Sequence, residues 1–171
     1  MLDQIAATWR ALPYAGPAML LGLLLAVVSL RLGGRRSRRD LAATAVLVWW
    51  AVVTAVTATT PVGGRWRTGA PVGRCVLDLW QPLSPLRWWE TSSDALNVWF
   101  FVPAGLGAVL LDRGRRRWAI GLVLATPLLC EAAQLLIPAA GRVCIAEDVA
   151  NNWVGAALGM ATGCLIGRRR G

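Results

Sequence analysis

The chain alternates long apolar runs with short polar segments, as expected of a protein that crosses a membrane several times. The apolar runs lie at about 13–32, 41–60, 93–111, 118–138 and 148–167. Each approaches the length of about 20 residues that a helix needs to span the hydrocarbon core of a bilayer. The pattern predicts one all-α domain over residues 1–171, a polytopic membrane bundle of about five transmembrane helices.

Residues 61–93 separate the second and third runs and are too polar to span a bilayer. This segment contains four prolines, and tryptophans and arginines are scattered through it. Tryptophan rings favour the headgroup level of a membrane. We therefore expect the segment to lie on the interface or to fold back over the bundle.

The arrangement of the basic residues predicts the topology. Arginine supplies all 18 of them, and dense clusters follow the first, third and fifth runs in short basic segments at 31–39, 112–117 and 168–170. Cytoplasmic loops carry the excess of basic residues in membrane proteins, so we predict an outer N-terminus and a cytoplasmic C-terminus for a multi-pass protein of the cell membrane. Short clusters between apolar runs also indicate membrane topology rather than nucleic-acid binding.

The absence of histidine narrows the chemistry. The sequence has no histidine, which disfavours histidine general-base catalysis and zinc binding. We expect no metal ion and no cofactor.

Polar side chains recur at one level of three predicted helices. Because residues three or four positions apart share a helix face, each helix presents its polar residues as a pair, and an arginine in the loop before the last helix is placed to meet the carboxylates. Ionisable groups inside a membrane are costly and by default mark a functional site. The candidate ligand-binding residues are Asp94, Asn97, Glu131, Gln134, Arg142, Asp148 and Asn152.

Two interpretations of these residues remain open. In the first, they form a pocket at the outer face for an anionic or hydroxylated headgroup. In the second, Asp94 and Asp148 cap helices and the remaining groups hold the helices together. Capping is favoured for Asp94 alone and function for Glu131, which lies within a span. A desolvated Glu131 would favour its protonated form, so Glu131 and Asp148 are also candidates for a catalytic acid/base pair.

Glycines recur at every fourth position of the last run. Gly155, Gly159, Gly163 and Gly167 therefore form one stripe, where bare backbone allows close approach of another helix. We predict tight helix packing there; the alternative is the ordinary abundance of glycine in membrane helices.

Two of the four cysteines fall in the predicted outer loops. Disulfides form outside the cytoplasm, so we predict a bond between Cys75 and Cys144. The alternative is two free thiols, because spacing alone does not determine connectivity.

The order and spacing of these motifs resemble the VanZ-like family, most strongly over residues 75–167. The likeness rests on an Asp/Asn and Pro-Gly helix, an E-x-x-Q pair with a later arginine, and a D-x-x-x-N-x-x-G-x-x-x-G segment. The matching residues are Asp94, Asn97, Phe101, Pro103, Gly105, Glu131, Gln134, Arg142, Asp148, Asn152, Gly155 and Gly159. Ile145 stands where many members carry an acidic residue.

The resemblance implies a small polytopic membrane protein of the cell envelope. The phenotype that gives the family its name is resistance to teicoplanin-type lipoglycopeptide antibiotics, and the binding of an envelope lipid or lipid-linked glycan at the outer leaflet would account for it. The residues leave open whether the protein is an enzyme acting on a lipid-linked substrate through Glu131 and Asp148. They also leave open a structural subunit that docks a membrane protein partner through its glycine stripe.

Overall fold

The computed structural model describes residues 14–33, 37–60, 74–77, 83–89 and 92–168. The helices are α1 (Ala15–Leu32), α2 (Arg38–Thr59), α3 (Ser93–Leu110), α4 (Arg113–Leu136) and α5 (Ala146–Arg168), with 3-10 turns at Pro85–Arg87 and Pro138–Ala140. Two short parallel strands, β1 (Cys75–Val76) and β2 (Cys144–Ile145), pair with each other. Residues 1–12, most of 61–93 and the arginines at 169–170 lie outside the described ranges.

The prediction of an all-α membrane bundle is confirmed. Within the described ranges, α1, α2, α4 and α5 are long and apolar enough to cross a membrane. The remaining helix, α3, is an apolar helix of 18 residues, about 27 Å long at 1.5 Å per residue. It is therefore slightly shorter than the hydrocarbon core of a typical bilayer, about 30 Å.

Helix caps explain why two helices begin earlier than the apolar pattern indicates. The Ser37 hydroxyl accepts the backbone N–H of Asp40 at 3.2 Å, so α2 begins at Arg38. Asp112 accepts the N–H of Arg115 at 3.1 Å, so α4 begins at Arg113. Arg38 and Arg39, and residues 113–117, which the sequence suggested as loops, thus belong to helix starts, where each cap satisfies one of the free N–H groups.

Helix α3 lies at the centre of the bundle and packs most extensively on α5, while α1 packs mainly on α2. The buried core gathers residues of four helices: Trp50, Phe101, Ala104, Ala108, Val123 and Ala156. The Trp50 and Phe101 rings meet edge to face with centroids 5.1 Å apart.

The glycines of α5 show how closely α3 and α5 approach. A Cβ added at Gly155 would overlap the Val98 carbonyl, and one at Gly159 would overlap the Val102 carbonyl. Since both residue numbers rise together along this contact, α3 and α5 run parallel. The contact loosens further along: Gly163 meets a Val109 side chain and Gly167 the end of Arg39, 3.3 Å from the position of an added Cβ.

The bundle has two chemically different ends. At the basic end, α1 terminates, α2 and α4 begin, and Arg39 lies beside Gly167. At the opposite end, which we call the amide end, α3 and α5 begin, α4 terminates and β1 pairs with β2.

Candidate functional site

Glu131 holds β2 against helix α4 at the amide end. The residue is only 6% exposed, and its Oε2 accepts the backbone N–H of Ile145 at 2.6 Å. Its other oxygen lies 3.5 Å from the side-chain nitrogen of Gln134, one turn further along α4. The two residues that the E-x-x-Q spacing placed on one face therefore do lie together, and Glu131 has a backbone partner that the sequence did not indicate.

A disulfide joins the long segment between α2 and α3 to β2 at the amide end. Cys75 and Cys144 are bonded, with their Cα atoms 4.4 Å apart, and they are also partners in the β1–β2 pairing. The carboxylate of Glu131 contacts the residue after Cys144, so the described part of this segment at 74–77 folds back over the bundle.

Two adjacent asparagines line the first turns of α5, and the structure adds one that was not among the sequence candidates. Asn151 has no exposed surface, and its Oδ1 accepts the backbone N–H of Leu83 at 2.6 Å. Asn152, which was a candidate, is 6% exposed. Within the described residues, Asn151 Nδ2 and Asn152 Oδ1 are buried without a hydrogen-bond partner.

The spacing of the glycine stripe could have predicted that Asn151 is buried. Continuing the four-residue repeat backwards from Gly155 leads to Asn151 rather than to Asn152. A residue in this register faces the same neighbour as the glycines do, namely α3. The stripe therefore indicates which of the two asparagines is enclosed most completely.

Arg142 lies in the short connection between α4 and α5 and is partly buried. Its Nε and Nη2 atoms are buried and lack a hydrogen-bond partner among the described residues. Burial lowers the pKa of the guanidinium, and the nearby Cys130, Glu131 and Asp148 oppose that effect. Arg142 thus lies near enough to Glu131 and Asp148 for their charges to interact with it.

Asp94 and Asp148 lie inside the first turns of their helices rather than at the N-cap positions. The cap of α3 is Ser92, whose hydroxyl accepts the N–H of Ala95 at 3.2 Å. Asp94 lies in the first turn of α3 and Asp148 in the first turn of α5, where the helix dipole favours a negative charge. Both are half-buried and have interactions of their own.

The parallel packing brings α3 to the same end as the other polar groups. Val98 lies opposite Gly155, so the preceding turn of α3, which contains Asp94 and Asn97, is level with Asn151. Asn97 is half-buried. The hydrogen bonds at this end join Glu131 of α4 to Ile145 of β2 and, separately, Asn151 of α5 to Leu83.

Among the described residues of the amide end, three buried donor atoms lack a partner, against one buried acceptor, Asn152 Oδ1. Arg142 contributes two buried N–H-bearing atoms and Asn151 a third, while the Glu131 oxygens already face Ile145 and Gln134. Buried donors without partners are costly, and an acceptor-rich group such as a phosphate or a sugar would satisfy them.

Comparison with known proteins gives one match. The model of the VanZ/LLP1 family matches residues 41–167. No curated protein and no solved structure matches the chain. The matched segment covers four of the helices and all of the polar cluster, and on this evidence the chain belongs to the VanZ/LLP1 family.

Proposed function

We propose that this protein is a VanZ-like protein of the cell membrane that binds the headgroup of an envelope lipid or lipid-linked glycan at the outer leaflet. Binding of that headgroup would influence the sensitivity of the cell to teicoplanin-type lipoglycopeptide antibiotics. The ligand would be anionic and rich in hydroxyl or phosphate oxygens.

The observation that carries this proposal is the pair of unpartnered nitrogen atoms on Arg142. A guanidinium is always charged near neutral pH, and an incompletely paired charge in a poorly solvated position is expensive. Nε and Nη2 of Arg142 are both buried without a partner among the described residues. A phosphate or carboxylate placed against these atoms would offset the cost through charge-assisted hydrogen bonds.

The amide groups supply the remaining selectivity. Asn151 Nδ2 is a donor and Asn152 Oδ1 an acceptor, and both are buried without a partner in the described part of the chain. Hydroxyl groups of a ligand can accept a hydrogen bond from an atom of the first kind and donate one to an atom of the second kind. Together with Arg142 they would fit a headgroup that carries an anion beside hydroxyl groups.

The contacts of Glu131 favour a positioning role over acid/base catalysis. Its Oε2 accepts the N–H of Ile145, which makes that oxygen less available to a substrate proton. As a positioning residue, Glu131 would fix β2 and bring the nearby Arg142 into place. Glu131→Gln keeps an oxygen for Ile145, so in a binding protein it should reduce ligand retention only slightly, whereas in an enzyme it should abolish turnover of the bound lipid.

The proposed orientation follows from the arginines. The described members of the three clusters lie at the basic end, and the positive-inside rule would place that end in the cytoplasm. The amide end and its disulfide would then face outward, where disulfides persist. A reporter fused after Gly171 should be active in the cytoplasm; activity only outside the cytoplasm would contradict this orientation.

The proposal is tested by lipid analysis of gently extracted protein. Wild-type protein should retain one class of envelope lipid well above its share in the membrane, and Arg142→Gln should lose that enrichment. Arg74→Gln is the matched control, since it removes the same charge from an exposed residue beside Cys75. Equal enrichment in both variants, or none in the wild type, would contradict lipid binding at this cluster.

A further inference from the structure

The basic end contains a cavity that the polar cluster at the amide end does not use. Its volume is about 240 Å³, and it opens to the outside of the bundle. The residues that line it are Ser37, Arg39, Asp40, Leu110, Leu111, Asp112, Arg113 and Arg116.

Two helix starts converge on this cavity. Ser37 and Arg39 belong to the first turn of α2 and its cap, while Asp112 and Arg113 form the cap and first residue of α4. Each helix start carries a partial positive charge and free backbone N–H groups. The geometry alone thus gives the cavity a positive potential, before any side-chain charge is counted.

The two aspartates of the cavity share an arginine that does not line it. Arg115 forms ion pairs with both Asp40 and Asp112, and Asp40 Oδ1 also accepts the N–H of Asp112 at 3.2 Å. Together with Arg115, the lining arginines Arg39, Arg113 and Arg116 outnumber these two aspartates by four to two, which leaves a net positive charge.

The half-buried side chain of Arg116 is a second indication that the cavity binds a ligand. Its Nε is buried without a hydrogen-bond partner among the described residues, although the residue lines an open cavity. A buried charged donor calls for an acceptor. Leu110 adds an apolar edge to the cavity at the end of α3, as suits a ligand that also carries an acyl chain.

We propose that this cavity binds a phosphate group, and that its source is the headgroup of an anionic phospholipid. Phosphate oxygens would accept from Arg116 and from the other lining arginines, while the glycerol and acyl chains would leave past Leu110. Basic pockets between membrane helices are suited to such headgroups. This site is independent of the one proposed at the amide end, and it would anchor the starts of α2 and α4 to the lipid leaflet.

The experiment uses the full chain in a neutral detergent and titrates it with short-chain phosphatidylglycerol, phosphatidylcholine or inorganic phosphate. Native mass spectrometry counts the bound lipid, and thermal unfolding reports stabilisation by either ligand. Arg116→Gln should weaken binding of phosphatidylglycerol by at least about tenfold, the loss expected for a charged hydrogen bond. The control is Arg117→Gln, an exposed neighbour on α4 that does not line the cavity, which should change the affinity by less than about twofold.

A second pair of variants keeps the test decisive if Arg116→Gln fails to fold. The double variant Arg39→Gln/Arg113→Gln removes two exposed lining arginines, and Arg31→Gln/Arg117→Gln removes two exposed arginines outside the cavity. Only the first pair should lose phosphatidylglycerol.

Three results would overturn the proposal: equal losses in the lining and control variants, equal binding of phosphatidylcholine and phosphatidylglycerol, or no binding of either phosphatidylglycerol or phosphate. Stabilisation by inorganic phosphate alone, dependent on the lining arginines, would support the phosphate site and identify the free anion as its source.

Discussion

The two ends of the bundle differ in how completely their buried charged and polar groups are paired. At the basic end, the buried carboxylate of Asp40 is paired with Arg115 and also accepts a backbone N–H. At the amide end, Arg142 and Asn151 retain buried donors without partners among the described residues. Among the described residues, the basic end therefore joins helices by ion pairs and keeps one such donor, Arg116 Nε, whereas the amide end keeps three, on Arg142 and Asn151.

This contrast separates groups that stabilise the fold from groups that are held ready for a ligand. Paired and hydrogen-bonded groups lower the free energy of the folded protein, whereas buried unpaired groups raise it. A protein retains the second kind where binding compensates for them. Substitutions at the two ends should therefore affect stability and binding to different degrees.

The largest loss of stability is expected at the contact between α3 and α5, because this contact runs from one end of the bundle towards the other. Gly159→Leu would force a side chain into the Val102 carbonyl and should destabilise the bundle by more than about 3 kcal/mol, because overpacking here acts on backbone. Thermal unfolding in detergent measures it, with Ala161→Leu on the exposed face of α5 as control. Equal melting temperatures for the two variants would show that α3 and α5 are not closely packed.

The next effect should be confined to the amide end. Replacing Cys75 and Cys144 by serine removes a bond that closes a loop of 69 residues and should cost about 2–4 kcal/mol. Hydrogen exchange should rise at β2 and the start of α5, and a reductant should lower the melting temperature of the wild type but not of this variant. The double variant Cys130→Ser/Cys164→Ser, which removes the free thiols, should keep the reductant response.

A smaller effect is expected at the basic end. Asp40→Asn weakens the ion pair to Arg115 and should cost about 1–2 kcal/mol without changing lipid binding at the amide end. A double-mutant cycle with Arg115→Gln isolates the pair, since both variants lose the same contact. A coupling energy near zero would show that this end gains no stability from pairing its charges.

The smallest effect on stability should come from Glu131→Gln. The amide oxygen can still accept the N–H of Ile145, so the free energy of unfolding should change by less than about 1 kcal/mol. Glu131→Leu leaves that N–H without its acceptor and should cost about 2 kcal/mol more. If the two variants unfold alike, the bond from Ile145 does not hold β2 in place.

Much of the fold follows from the sequence because helix length and periodicity are local properties. The apolar runs predict the five helices, and the four-residue spacing predicts that Gly155 and Gly159 share a face. The apolar pattern does not predict the early starts of α2 and α4, because the first turns after the caps at Ser37 and Asp112 are rich in arginine and therefore resemble polar loops. A cap is a hydrogen bond between one side chain and one backbone N–H, and a hydropathy pattern gives no information about such a bond.

The site was only partly predictable because its partners come from backbone groups distant in the chain. Glu131 and Gln134 stand out as polar residues in an apolar run, but nothing in the sequence indicates that Ile145 or Leu83 would donate its N–H to a buried side chain. Likewise, Asp40 and Arg115 are 75 residues apart, and they meet only because α2 and α4 both begin at the basic end. Such contacts are set by the tertiary fold rather than by local pattern.

The affinity of the amide end for a lipid headgroup tests most directly whether Arg142 binds that headgroup. Dissociation constants of Arg142→Gln and Arg74→Gln should be compared in nanodiscs, using the lipid fraction that is enriched with the wild-type protein. We expect Arg142→Gln to bind at least about tenfold more weakly than Arg74→Gln, because of these two residues only Arg142 carries buried donors that need an acceptor. Equal dissociation constants for the two variants would contradict it.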